Sequence, residues 1–186
     1  MSFKPRPLLL LLLLLFFGAH KSTAQTDRGI DAIKRICQKV DEDVARSEQE
    51  PEHSNIYLTE LAVNKGDGSY PAVGIYRPVV KFFYTYGDRE KDPYPNRLIK
   101  IVVAVDRSDR KEYSEYCFNE SEHLISYFSK KDDVEKRLYF VSERPIAFEQ
   151  DNKRMSVRSK SLAWIVPAVL KEKGSLVAIF RRSLGF

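Results

Sequence analysis

Few residues in this chain could do chemistry, and their spacing nominates no reaction. Past residue 24 there are two histidines, His53 beside Pro51 and His123 in the turn "NESEH". Neither has a second His or a Cys at the spacing that zinc ligands adopt. The chain has no G-x-S-x-G elbow, no H-E-x-x-H and no glycine-rich phosphate loop. Two acid clusters stand out, "DED" at 41–43 and the pair Asp132 and Asp133. Neighbouring helix positions point in different directions, so the first reads as a solvated face and not as a metal site. The second shares a hairpin turn with Lys130 and Lys131, where solvated charge is the plain reading. No catalytic residue, metal or cofactor is therefore expected. A Ser, His and acid set assembled from distant positions keeps one alternative open, an envelope hydrolase with a dispersed active site.

The two cysteines, Cys37 and Cys117, pose a sharper question, because an even number of thiols tends to pair in an oxidising compartment. Cys37 falls on the apolar stripe of a helical segment. Cys117 alternates with Tyr113 and Glu115, whereas Tyr116 and Phe118 point to the other face of the same strand. A helix packed on the more apolar Tyr116 side would leave the two sulfurs on different sides of the sheet, out of bonding distance. No disulfide is expected on that geometry.

The compartment is read from the N-terminus. Lys4 and Arg6 precede an unbroken apolar run from Leu8 to Phe17, followed by Gly18 and "AHKSTAQ". That order of basic, apolar and small-residue regions is a secretory signal, with Ser22 and Ala24 placed for cleavage before Gln25. The run is about half of the roughly 18 residues that span a bilayer, so no stable membrane insertion is expected after cleavage. The expected organisation is a signal peptide over 1–24 and one domain over 25–186, secreted or periplasmic. Losing Lys4, Arg6 and Lys21 with no acid lowers the net charge from +5 to +2. A nucleic-acid partner loses its main support.

The elements must then position whatever the domain uses. In "DRGIDAIKRICQKVDEDVAR", Ile30, Ile33, Cys37, Val40 and Val44 recur at three- and four-residue steps, which predicts one amphipathic helix. Thr26 or Asp27 would cap its start and Pro51 would end it. From Asn55 the period becomes alternating. "NIYLTELAV", "VVKFFYTY", "RLIKIVVAV", "KEYSEYCF", "HLISYF", "EKRLYFV" and "PIAFEQ" read as strands joined by short turns. Short loops join antiparallel neighbours, so the economical topology is a meander of about six strands. Helical spacing returns through Leu162, Ile165, Val166, Val169 and Leu170, with Pro167 inside it and Gly174 as the expected end.

Two stretches, "YCFNESEHLISYF" and "LYFVSERPIAF", share an aromatic pair, a polar break, an apolar pair and a further aromatic. With the preceding helix and "RLIKIVVAV", they resemble uncharacterised exported bacterial proteins that carry an N-terminal helix and repeated aromatic β-hairpins. The likeness covers about residues 30–150; it implies export and a meander fold, and no activity. Beside it, Asn119, Glu120 and Ser121 read as a chance match to a glycan acceptor in a turn. The fold class expected is α+β, an antiparallel meander with an N-terminal helix and a C-terminal helical segment. Equivalent hairpin sites should face one layer, with Leu138, Phe140, Ile146 and Phe148 buried under a helix and Tyr139 facing away. The supply of aromatics exceeds what one buried face absorbs, so the other face, with Tyr113, Tyr127 and Tyr139, is expected to meet a protein or glycan partner. The function expected is non-catalytic, a binding or structural module of the cell envelope or periplasm.

Overall fold

The computed structural model describes residues 7–185 apart from 67, 89, 92, 93, 95 and 96, with side chains from residue 25 onward. Lys4 and Arg6 of the expected signal, and the side chains of Ser22 and Ala24, lie outside the described residues. Helix α1 runs unbroken over Pro7–Gln49, so Thr26 and Asp27 sit within it and cap nothing. Asp27 instead pairs with Arg154. The helix ends ahead of Pro51 as its sequence predicts, because a proline ring disfavours helical geometry at the residue before it.

One antiparallel sheet of eight strands follows in meander order: β1 Tyr57–Ala62, β2 Tyr76–Thr85, β3 Arg97–Arg107, β4 Lys111–Phe118, β5 Leu124–Lys131, β6 Val134–Val141, β7 Arg144–Gln150 and β8 Lys153–Met155. The expected count of about six falls short partly because β8 is three residues long and shows no alternation. Its turn, Asp151 and Asn152, has φ of 50° and 61° at its two centres, the left-handed pair that a tight hairpin requires.

The repeated unit is a bulged hairpin. Cys117 pairs with Ser126 but Phe118 pairs with Leu124, leaving Ile125 as an extra residue. Likewise Tyr139 pairs with Ala147 but Phe140 with Pro145, leaving Ile146 extra. The looser third unit repeats this, with Phe83 on Lys100, Tyr84 on Leu98 and Ile99 between. An isoleucine occupies the bulge each time. A bulge inserts one residue into one strand, so the residues beyond it exchange faces relative to simple alternation.

Both faces of the sheet are covered. On one, helix α2 (Leu162–Ser183) sets Leu162, Val169, Leu176 and Phe180 against Phe82, Ile101, Tyr116, Leu138, Phe140 and Phe148. On the other, α1 sets Ile30, Ile33, Cys37 and Val40 against Cys117, Ile125, Tyr139 and Ala147. Phe140, Leu138 and Phe148 thus share one buried layer as expected. Ile146 does not join them: the bulge carries it to the α1 layer. Tyr139 faces away from Phe140 but is only 1 % exposed, because α1 lies on it.

Helix α2 continues past Gly174, contrary to the expected end there. A mid-helix glycine costs about 1 kcal/mol, which burial of Leu176 and Phe180 beyond it outweighs at roughly 2 kcal/mol each. The helix crosses the sheet from β5 and β6 to β2, where Phe180 meets Phe82 at 5.5 Å and Tyr84 at 5.0 Å between ring centroids. Two hairpin turns fasten it: Lys173 Nζ donates to Glu143 at 2.6 Å and Arg181 to Glu122 at 2.6 Å. Both glutamates have left-handed backbones, φ 60° and 58°.

Candidate functional site

Among the described residues, a cleft lies beside each helix. The larger, about 460 Å3, opens between α2 and strands β3 to β6. Val105, Tyr127, Ile165 and Val169 supply its apolar wall. Its rim carries opposite charges, Glu112 and Glu172 against Lys131 and Lys136. Glu112 sits in a basic cluster, 2.7 Å from Arg110, 3.2 Å from Arg107 and 3.3 Å from Lys131. Burial pushes its carboxyl up, but the hydrogen bonds from Arg110 and Lys131 outweigh this and hold it below the ordinary range. Behind the wall, Tyr116 packs on Tyr127 at 5.0 Å, and its buried hydroxyl has no hydrogen-bond partner among the described residues. Burial drives its pKa, and that of Tyr127, upward.

The second cleft, about 290 Å3, lies where α1 crosses the sheet and holds Cys37, Asp41, Lys100, Glu115, Cys117 and Arg137 among its lining. Lys100, only 8 % exposed, extends from β3 between two carboxylates, 2.6 Å from Asp41 of α1 and 3.3 Å from Glu115 of β4. Burial favours the neutral amine, yet these two partners more than offset it and raise the pKa. Asp41 thus reaches Lys100 from a side chain that stays 53 % exposed, a pairing that the reading of 41–43 as a solvated face did not foresee. A lone Lys in the run "RLIKIVV" was the available signal. Tyr113 donates its hydroxyl to Glu115, and Arg137 stacks over Phe128 at 4.9 Å.

The same cleft corrects the cysteine geometry. Helix α1 packs on the Cys117 face, not on the Tyr116 face, so both thiols belong to one cluster and line one cleft. Contact with Cys117 draws the Cys37 thiol below its ordinary value despite burial, whereas contact with Cys37 and burial push Cys117 up. Both are free thiols.

The remaining sequence candidates fall in different places. Tyr127 is half-buried and lines the α2 cleft, Tyr113 is half-buried with its hydroxyl on Glu115 and its ring beside Phe128 on the α1 side, and Tyr139 is buried under α1. The three do not form one open surface. His123 is exposed in the β4–β5 turn, where its amide donates to Asn119 Oδ1. That oxygen also accepts from Ser121, so Asn119 closes the turn. His53 lies in a hollow of about 160 Å3 with Asp43, Glu50 and Ser54. Ser54 Oγ accepts from the Ile56 amide, and no hydrogen bond joins His53 to a serine or a carboxylate among the described residues. No group of His, Cys, Asp and Glu among the described residues could hold a metal ion, and no helix there is long and apolar enough to cross a membrane. No family model, no curated protein and no solved structure matches the chain.

Proposed function

We propose that the protein is an exported binding module of the cell envelope or periplasm, and that its ligand enters the cleft between α2 and strands β3 to β6. The observation that carries this reading is the lining of that 460 Å3 space: apolar Val105, Tyr127, Ile165 and Val169 inside, with Glu112, Glu172, Lys131 and Lys136 around them. An apolar wall with a few placed charges, in this range of volume, is the usual make-up of a ligand site. The role we propose for this lining is non-catalytic.

The favoured partner is a protein that inserts one large apolar side chain and sets its flanking charges on the rim. A glycan would need a flat open aromatic face, and Tyr127 turns toward Tyr116. Export rests on the order of residues 1–24. Cleavage before Gln25 leaves Ile30, Ile33, Cys37, Val40 and Val44 in place on α1. A hydrolase has one observation behind it, the hollow with His53, Asp43 and Glu50, but its only hydroxyl is engaged in a local turn.

The test titrates isotope-labelled residues 25–186 separately with charged peptides bearing a central Phe or Leu and with oligosaccharides, followed by NMR. Peptides should shift Val105, Ile165 and Val169, and Ala168→Trp, at an exposed position of the lining, should abolish those shifts. Shifts from saccharides alone would reassign the partner as a glycan. Silence of these residues toward both sets would overturn the binding reading. N-terminal sequencing of the exported protein should begin at Gln25; retention of Met1 in a membrane fraction would overturn export.

A further inference from the structure

We propose that Cys37 and Cys117 form a disulfide that fastens α1 to β4, made by exchange with a small disulfide entering the α1 cleft. The two residues are far apart in sequence but share one packed cluster with Ile30, Ile33 and Tyr139. Beneath α1, Cys117 pairs with Ser126, and both line the α1 cleft with Cys37. Cα atoms of α1 and β4 come within 8 Å of one another. Disulfides bridge Cα atoms up to about 7 Å apart, so the link requires α1 to hold Cys37 over Cys117 within that reach.

The cleft supplies access and charge. Cys37 is half-buried and Cys117 buried, and both line it. Lys100 stands beside the thiols with its ammonium fixed by Asp41 and Glu115, and Lys34 and Arg137 border the opening. Lys100 favours a thiolate at Cys37 while Asp41 opposes it, and the cations of the lining are matched by carboxylates, so the opening selects its co-reactant by size. Contact with Cys117 favours the Cys37 thiolate, which makes Cys37 the first to attack.

The exchange runs in two steps. Cys37 yields its proton to solvent and attacks one sulfur of the co-reactant; that S–S bond breaks, one thiolate leaves and takes up a proton, and a mixed disulfide remains. Cys117 then yields its proton and attacks the Cys37 sulfur, so the protein disulfide forms and the second thiolate departs and is protonated. Two protein thiols lose two electrons, and one small disulfide becomes two thiols.

This inference is independent of the ligand cleft beside α2. Its test incubates reduced residues 25–186 with oxidised glutathione and measures intact mass, then maps peptides without reduction. The expected product is lighter by two hydrogens, carries no glutathione, links the peptides containing residues 37 and 117, and unfolds on the order of 10 °C higher than the reduced protein. Cys117→Ser should retain one glutathione on Cys37, and Cys37→Ser should take up none. Wild-type protein that keeps both thiols free, that bears glutathione without an internal link, or that crosslinks between molecules would overturn the proposal. Those measurements need no variant to fold.

Discussion

Tyr139 and Phe140 are neighbours in β6 that point into opposite layers, and both are below 2 % exposed. Alternation made the opposition of the two legible from sequence. It could not show that Tyr139 is covered, because that depends on which face α1 chooses. The aromatic side looked the better partner, yet α2 occupies it with Phe180 and Leu176, and α1 takes the row of Cys117, Ser126, Tyr139 and Ala147. The cost of truncation should track burial and not chemical type. Phe140→Ala and Tyr139→Ala should each lower the free energy of unfolding by roughly 3 to 5 kcal/mol in urea titrations. Tyr139→Phe should cost less than about 1 kcal/mol, since its hydroxyl makes only a 3.3 Å bond to Glu149. A Tyr139→Ala loss far below that of Phe140→Ala would mean that α1 is not seated on the sheet in solution.

At the level of elements, the meander and its flanking helices were legible because period-two strands and short turns leave little freedom in connection. The bulges were hidden in plain view: "LI" at 98–99, "LI" at 124–125 and "PI" at 145–146 look like ordinary apolar pairs. A one-residue insertion moves the residues beyond it to the opposite face without changing composition. The α2 cleft was illegible for a related reason, since Val105, Tyr127 and Val169 come from three elements and each alone reads as core. Pro167 shows how packing overrides a local signal. It sits at the sixth position of α2, exposed, and deprives the Ala163 carbonyl of its helical donor. Because it buries little, Pro167→Ala should restore that bond and raise stability by about 1 to 3 kcal/mol in the same titrations. A loss of stability would show that the proline sets a bend by which Leu162 and Ile165 reach the sheet.

Across the whole molecule, the titrating groups that the fold perturbs most are protonated ones held protonated. Burial raises the pKa of Tyr113, Tyr116, Tyr127 and Tyr139, and the nearby carboxylates of Glu115, Glu172 and Glu149 add to it. Lys100 is raised too, where Asp41 and Glu115 prevail over burial. A group whose folded pKa exceeds its unfolded value contributes stability that is complete below the unfolded value. That contribution is lost as pH rises, because the unfolded chain then binds fewer protons than the native one. The window opens near pH 10, where free tyrosine and lysine titrate, at a slope of about 1.4 kcal/mol per pH unit for each group still protonated in the fold. Glu112 has the opposite sign: its lowered pKa gives a contribution lost as pH falls through the carboxylate range, modest for an ion pair that water still reaches. Stability measured by chemical denaturation should therefore be level from about pH 6 to 9, dip modestly in acid and fall steeply above pH 10. Tyr116→Phe isolates one contribution. Its hydroxyl is buried without a partner among the described residues, so the change should be neutral or stabilising at pH 7 and should flatten the alkaline fall by one proton's worth of slope. An unchanged alkaline slope in Tyr116→Phe would mean that this hydroxyl meets solvent, and with it that the wall between the α2 cleft and the core is open.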